Sequence, residues 1–123
     1  IYYDNSASPY RSEATRTWTT AQDWTVEDVT TLTLYVRGAA ANTTEPLYVV
    51  LKDSSNREGI SPHPNATILT ETDWAEWSIP LSEFTTAGVN TAAIKEMAIG
   101  VGSRTAATAD GTGVATIDDI ILR

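Results

Sequence analysis

The chain has 123 residues, of which 41% are hydrophobic and 20% charged, and it carries no cysteine. This length fits one domain, residues 1–123. The formal net charge of −8 argues against a nucleic-acid partner and against docking on an anionic membrane. The charge is compatible with a neutral polysaccharide and disfavours a polyanionic one. Without cysteine there is no disulfide framework, so stability must come from the core or from a bound ion.

Alternation of apolar and polar residues predicts strands along most of the chain. The clearest strand is 31–37, where Leu32, Leu34 and Val36 point one way and Tyr35 and Arg37 the other. Seven further strands are predicted, at 2–5, 13–19, 46–53, 58–61, 74–81, 97–101 and 114–122, with one helical turn at 91–95. The loop at 38–45 and the turn at 53–56 predict that strands 31–37, 46–53 and 58–61 form a meander. This pattern predicts an all-β fold, a two-layer antiparallel β-sandwich or jelly roll.

Known catalytic motifs are missing from the sequence. The single histidine, His63, lies between two prolines, and there is no Gly-x-Ser-x-Gly elbow for it to serve. There is also no glycine-rich phosphate loop and no His-Glu-x-x-His zinc motif. The 16 aspartates and glutamates are scattered mostly through turns and strand ends. We therefore expect the chain not to be an enzyme.

Aromatic side chains are the first candidate for binding. A pyranose ring packs its apolar face on an aromatic ring, and its hydroxyl rim needs polar partners. Alternation places Tyr35 and Tyr48 on the outer face of a sheet, with Arg37 and Lys52 beside them. These four residues predict a sugar-binding platform on one outer face. The alternative is that strand tyrosines only pair across a pleated surface.

The remaining aromatic residues and the histidine are harder to assign. Trp24 lies in a connection, where it either contacts sugar or caps the open end of the sandwich. His63 lies in a rigid Pro-His-Pro loop, where it either stacks on a sugar or is an ordinary surface residue. Trp77 shares the inward side of its strand with Ile79 and Leu81, and we interpret Trp77 and Trp74 as structural. Trp18 stays undecided.

A second candidate is a calcium site. Calcium prefers six to eight oxygen ligands, commonly carboxylates and backbone carbonyls. Asp4 ends the first strand, Glu13 opens the second, and Asp118 and Asp119 lie in the last strand. The first and last strands of a sandwich are often neighbours, so these carboxylates are expected to meet. One of the two adjacent acids should face inward and need a partner, either Arg16 or a structural calcium ion.

Three motifs carry a resemblance to a known group. They are Tyr-Tyr-Asp-Asn at 2–5, Ile-Asp-Asp-Ile at 117–120, and Trp-Ala-Glu-Trp-Ser-Ile-Pro-Leu-Ser-Glu-Phe at 74–84. The chain resembles the β-jelly-roll carbohydrate-binding modules attached to bacterial polysaccharide-degrading enzymes, and within them it is most similar to family 81. That resemblance implies β-1,4-glucans and xyloglucan as ligands, held in a groove across one sheet. It also implies a structural calcium at Asp4 and at Asp118 or Asp119.

Together these observations predict a secreted, monomeric, non-catalytic module that is tethered to a catalytic domain and binds β-1,4-glucan-type polysaccharide. No apolar run approaches the length of a membrane span, and a chain that opens at Ile1 without methionine is expected to come from a longer or processed precursor. The alternative is a calcium-stabilised structural or adhesion sandwich of a cell-surface protein. A small glycan-active enzyme is a third reading.

Overall fold

A computed structural model describes residues 1–105 and 110–123, and strands dominate it. The strands are β1 (Tyr2–Asp4), β2 (Arg11–Gln22), β3 (Thr31–Arg37), β4 (Leu47–Asp53), β5 (Glu58–Pro62), β6 (Ala75–Pro80), β7 (Ile94–Gly102), β8 (Thr112–Val114) and β9 (Thr116–Leu122). Every predicted strand region is present, and the last one divides into β8 and β9. The predicted helical turn is a 3-10 turn at Thr91–Ala93. A short helix, α1 (Ser82–Thr86), was not predicted.

The strands form antiparallel sheets that pack as a sandwich. One sheet has the order β2-β7-β4-β5, a second has the order β6-β3-β9, and β1 pairs with β8. The all-β antiparallel sandwich is therefore confirmed. The predicted meander is wrong, because β3 and β4 belong to different sheets and only β4 and β5 form a hairpin. The polar connection at 38–45 carries the chain from one sheet to the other.

The core lies between the two sheets. Leu32, Leu34 and Val36 from β3 are at most 1% exposed, and they join Val49 and Leu51 from β4 in one buried cluster. Strand β4 is buried on its second side as well, where its outward residues form a small separate cluster with β7. This double burial explains the continuous apolar run Leu-Tyr-Val-Val-Leu at 47–51, which is typical of a strand covered on both faces.

A buried aspartate fixes the β4–β5 turn. Asp53 is fully buried, and its carboxylate accepts hydrogen bonds from the backbone N–H groups of Ser55, Arg57 and Asn90 at 2.8–3.1 Å. Burial alone would raise the pKa of Asp53, but these donors hold it below its ordinary value. The turn is thereby tied to the segment that leads into β7. None of the helices within the described residues is long and apolar enough to cross a membrane.

Candidate functional site

The four residues of the predicted platform divide between the two outer faces of the sandwich. Tyr35 and Arg37 lie on β3, in the three-stranded sheet. Tyr48 and Lys52 lie on β4, in the four-stranded sheet. Each pair points away from the core, as alternation predicts. The prediction that all four share one face is wrong, because the two sheets pack through their inner faces and leave these residues on opposite sides.

Tyr48 lies flat across the four-stranded sheet. It pairs with Gly100 of β7, and a Cβ atom on that glycine would sit 2.3 Å from the Tyr48 ring, so the ring fills the space that Gly100 leaves open. Its hydroxyl donates a hydrogen bond of 3.0 Å to Glu13 Oε1. Burial, followed by the nearby Glu13 carboxylate, raises the pKa of Tyr48 to about 12. At 4% exposure Tyr48 is part of the floor of this face rather than an open platform.

Charged side chains form a connected layer over that floor. Arg104 follows β7 and donates from Nη2 and Nε to Glu13, at 2.8 and 3.0 Å, and from Nη1 to Glu58 at 2.9 Å. Lys52 Nζ lies 3.3 Å from Glu58 and 3.9 Å from Glu96, its cross-strand neighbours. With Arg11, whose Nε lies 3.1 Å from Glu13, these residues make up what we call the ion-pair network: Arg11, Glu13, Lys52, Glu58, Glu96 and Arg104.

The network favours the charged form of Glu13. The Arg104 hydrogen bond holds the pKa of Glu13 below its ordinary value of 4.5, against burial, and Tyr48 adds to that lowering. Sequence reasoning missed Arg104, Glu58 and Glu96. Glu58 and Glu96 have a usable signal, since they face Lys52 across neighbouring strands. Arg104 has none, because it lies in an irregular segment whose path over the sheet is set by tertiary structure.

A cavity of about 180 Å³ opens beside the network. Its walls include Pro46, Tyr48, Ile60 and Pro62, and Arg104 lies at its margin. Ile60 is 45% exposed, so the apolar wall is accessible from solvent. Pockets for drug-sized ligands usually measure about 300–1,000 Å³, and this cavity is therefore sized for a single ring rather than a whole oligosaccharide.

Two predicted sugar contacts, Trp24 and His63, pack against other aromatic rings of the fold. Trp24 is 7% exposed, meets the ring of Trp18 edge-on at 6.0 Å, and donates its backbone N–H to Thr91. The capping alternative for Trp24 is therefore the one that the structure favours. The His63 ring is half-buried at 4.7 Å from the Trp77 ring, and burial lowers its pKa. Trp77 is 4% exposed and lies in the core, as predicted.

The outer face of the three-stranded sheet holds an exposed tryptophan. Trp74 is 42% exposed, and the Arg37 guanidinium lies 4.8 Å from its ring centre. The Tyr35 hydroxyl donates to Glu76 Oε2 at 2.8 Å, and this bond raises the pKa of Tyr35. Trp74 is thus more open to solvent than its interpretation as a structural residue predicts. Its even position, shared with Glu76, Ser78 and other outward residues of β6, is the sequence signal that places it outside.

The four predicted calcium ligands do not form one site. Asp4 accepts hydrogen bonds from Ser6 and lies on β1, which pairs with β8 rather than β9. Glu13 belongs to the ion-pair network. Asp118 and Asp119 are both exposed, because the β3–β9 register shifts here and Asp119 has φ 49°, so the expected inward carboxylate is absent from this strand. Within residues 1–105 and 110–123, no group of three or more histidine or acidic side chains is arranged to hold a metal.

The carboxyl groups of Glu45 and Asp110, which were not predicted as a pair, do lie close together. Glu45 is 1% exposed, and both its oxygens accept hydrogen bonds from Asn5 Nδ2, at 2.8 and 2.9 Å. Burial raises the pKa of Glu45, and the neighbouring Asp110 raises it further, while the Asn5 bond opposes the shift. This contact ties the end of β1 to the β3–β4 connection. Alternation does not predict the burial of Glu45, because a polar residue in a loop is ordinarily expected at the surface.

Comparison with known proteins identifies the family. The sequence profile described as carbohydrate binding domain 30 matches residues 4–122, which include almost all of the sandwich. A search among curated proteins finds no match. The matched family is non-catalytic, in agreement with the expectation that the chain is not an enzyme, and the match does not support the similarity to family 81. The chain therefore belongs to the carbohydrate binding domain 30 family, as a non-catalytic carbohydrate-binding module with an all-β sandwich fold.

Proposed function

We propose that the outer face of the four-stranded sheet binds a neutral β-1,4-linked glucan, such as a cellulose chain, a cello-oligosaccharide or xyloglucan. The observation that supports this most is the apolar cavity beside the ion-pair network. A pyranose ring placed in the cavity would pack its apolar face against Ile60, Pro62 and Tyr48. Its hydroxyl rim would face Arg104, whose guanidinium has five N–H groups and donates three of them to Glu13 and Glu58.

Charge favours a neutral chain. The network holds three cationic and three anionic side chains, so this face is balanced although the whole chain has a net charge of −8. Neutral hydroxyls can accept from Lys52 and donate to Glu58 or Glu96 without changing that balance. A polyanion would be repelled by the surplus of acids elsewhere on the surface.

The dimensions favour an extended chain. From β2 to β5 the sheet spans three strand spacings, about 14 Å, which suits several sugar rings in a ribbon-like β-1,4 chain. One ring would occupy the cavity and its neighbours would lie along the network. Binding should be weak, because sugar hydroxyls give up good hydrogen bonds to water on contact. We further propose that the module acts outside the cell, tethered to a polysaccharide-degrading enzyme, where tethering raises the local concentration on the polymer.

Calorimetric titration with cello-oligosaccharides and xyloglucan tests the proposal, using variants matched in exposure. Ile60→Ser should weaken binding about fourfold to tenfold, which corresponds to losing about half the burial of one isoleucine side chain. Ile120→Ser is the control, since Ile120 is 47% exposed but lies on β9. Lys52→Met should also weaken binding, whereas Lys95→Met, at the chain's other lysine, should not.

The outcomes separate the proposal from its rivals. Equal affinity of Ile60→Ser and Ile120→Ser would contradict the cavity as the binding site. Tighter binding of a polyanionic glycan than of xyloglucan would contradict the neutral ligand. A structural or adhesion module would bind none of the soluble glycans tested.

A further inference from the structure

The sandwich has a second surface with the chemistry of a sugar contact, on the side opposite the ion-pair network. We call it the aromatic face, and it consists of outward residues on β1, β3 and around the start of β6: Tyr2, Tyr35, Arg37, Trp74 and Glu76. Tyr2 is 88% exposed and Trp74 is 42% exposed. Within the described residues, they are two of the six large hydrophobic side chains that are exposed to solvent.

Strand register relates these residues across the three-stranded sheet and the neighbouring β1–β8 pair. Arg37 pairs with Thr116 of β9, and two residues before it along the chain Val114 pairs with Tyr2. Val114 ends β8 and Thr116 begins β9, with Ala115 alone between them, so extended backbone through Ala115 would put Tyr2 on the same side as Arg37. The burial pattern agrees, because Tyr3 and Ala115 are buried between them. With the β1–β8 pair taken as continuing the edge of the three-stranded sheet, strand spacing and rise give a separation of about 15 Å between Tyr2 and Trp74.

Polar groups accompany each aromatic ring at the centre of this face. Arg37 covers one side of the Trp74 indole at 4.8 Å, so the exposed part of the ring is the part that the guanidinium does not cover. Tyr35 is held by its bond to Glu76, and Arg123 acts electrostatically on both of them. An aromatic ring beside fixed hydrogen-bonding groups is the arrangement that a pyranose recognises.

We propose that the aromatic face is a second carbohydrate-binding site, and that it takes the flat surface of an insoluble neutral β-linked polysaccharide. Its charged residues nearly balance, with Arg37 and Arg123 against Glu76, Asp118 and Asp119, on a chain whose net charge is −8. This balance fits an uncharged polymer.

The geometry also separates the two sites by the form of the polymer. The aromatic face is the outward side of a sheet, with contacts spread over about 15 Å, so it fits chains packed side by side. The cavity over Tyr48 fits one ring of a single chain. Because the two faces point in opposite directions, one module can hold an insoluble surface with one and a loose chain with the other. This inference rests on the chain being a carbohydrate-binding module, and not on the network being the first site.

Two binding assays on each variant test this. Adsorption to microcrystalline cellulose reports on the aromatic face, and calorimetric titration with cello-oligosaccharide reports on the cavity. The double change of Tyr2→Ala and Trp74→Ala should lower adsorption at least about tenfold and leave oligosaccharide affinity unchanged. Ile60→Ser should do the reverse. Trp74→Phe, which keeps a flat ring, should retain most of the adsorption, and Ile120→Ala should behave as the parent in both assays.

The results distinguish failure of this inference from failure of the proposed function. Unchanged adsorption of the double variant overturns the aromatic face, whatever the oligosaccharide result. Parallel loss of adsorption and oligosaccharide affinity overturns it also, since it would mean one site rather than two. Suppose that Ile60→Ser keeps its oligosaccharide affinity and that the double variant loses adsorption. This result would contradict the cavity as a binding site and support the aromatic face. A thermal melt of each variant verifies that the compared proteins are folded.

Discussion

Replacing Arg104 with methionine keeps much of its packing and removes its charge. The guanidinium makes two hydrogen bonds to Glu13, and the two side chains are only 22% and 15% exposed. We assign this bidentate pair about 2 kcal/mol, within the range for hydrogen bonds to charged groups. The Glu58 side chain is 37% exposed, so its ion pair adds at most about 1 kcal/mol. The free energy of unfolding at neutral pH should therefore fall by about 2–3 kcal/mol in Arg104→Met.

Urea unfolding followed by tryptophan fluorescence measures this loss. With a urea dependence of about 1–3 kcal/mol per M for a small domain, the midpoint should fall by about 0.7–3 M. Arg16→Met is the matched control. Arg16 is exposed, with its guanidinium 5.5 Å from the Trp18 ring, and its replacement should cost less than about 1 kcal/mol.

The pH dependence gives a sharper test. Arg104 holds the pKa of Glu13 below 4.5. A carboxyl group with a depressed pKa in the folded state contributes stability that is present above its unfolded pKa and lost as pH falls through its folded pKa. The difference between parent and Arg104→Met should thus be full at neutral pH and shrink as pH falls below 4.5. A difference that stays constant with pH, or one no larger than that of Arg16→Met, would refute the reasoning.

Three further predictions concern the floor, the buried carboxyl pair and calcium. Gly100→Ala places a Cβ atom 2.3 Å from the Tyr48 ring, so the ring must leave its position, and both the melting temperature and the glucan affinity should fall; no change in either would show that the ring is not held there. Because burial raises the pKa of Glu45, its contribution to stability is full below its ordinary value of 4.5 and lost as pH rises through its folded pKa. Glu45→Gln should therefore flatten the fall in melting temperature between pH 4.5 and the folded pKa of Glu45, and the same pH dependence of melting temperature in parent and variant would contradict this. Structural calcium stays a prediction. If the module binds calcium, a chelator should lower its melting temperature. An unchanged melting temperature would contradict a structural calcium ion.

Strand positions are readable from this sequence because alternation is a local signal. Leu32, Leu34 and Val36 identify an inward face without knowledge of any other strand, and the same holds for 46–53. The outward direction of Tyr35 and Tyr48 follows from the same period. The missing catalytic motifs are equally local, since such motifs are runs of residues at fixed spacing.

The division of strands between sheets has no local signal. Strands β3 and β4 show the same alternation, although one faces the core from above and the other from below. This alternation does not distinguish a hairpin from a crossing between sheets. For that reason it predicts Tyr35 and Tyr48 on one face, although they lie in different sheets. The register shift at Asp119 has no local signal either. Two adjacent acids in a regular strand would point to opposite faces, but the irregularity in β9 turns both outward.

Sequence alone thus predicts an all-β fold, the regions that form strands, and the inward side of strands such as β3 and β4. Tertiary structure decides which side chains share a surface. Arg104, Glu13 and Glu58 come from three separate parts of the chain, and their ion pairs exist only because the segment after β7 folds over the sheet. A charged or aromatic side chain is buried by the side chains packed over it, and those side chains belong to residues distant in sequence. For this reason the two tyrosines that alternation predicts on one face lie on opposite sides of the sandwich, Tyr48 beside the ion-pair network and Tyr35 on the aromatic face.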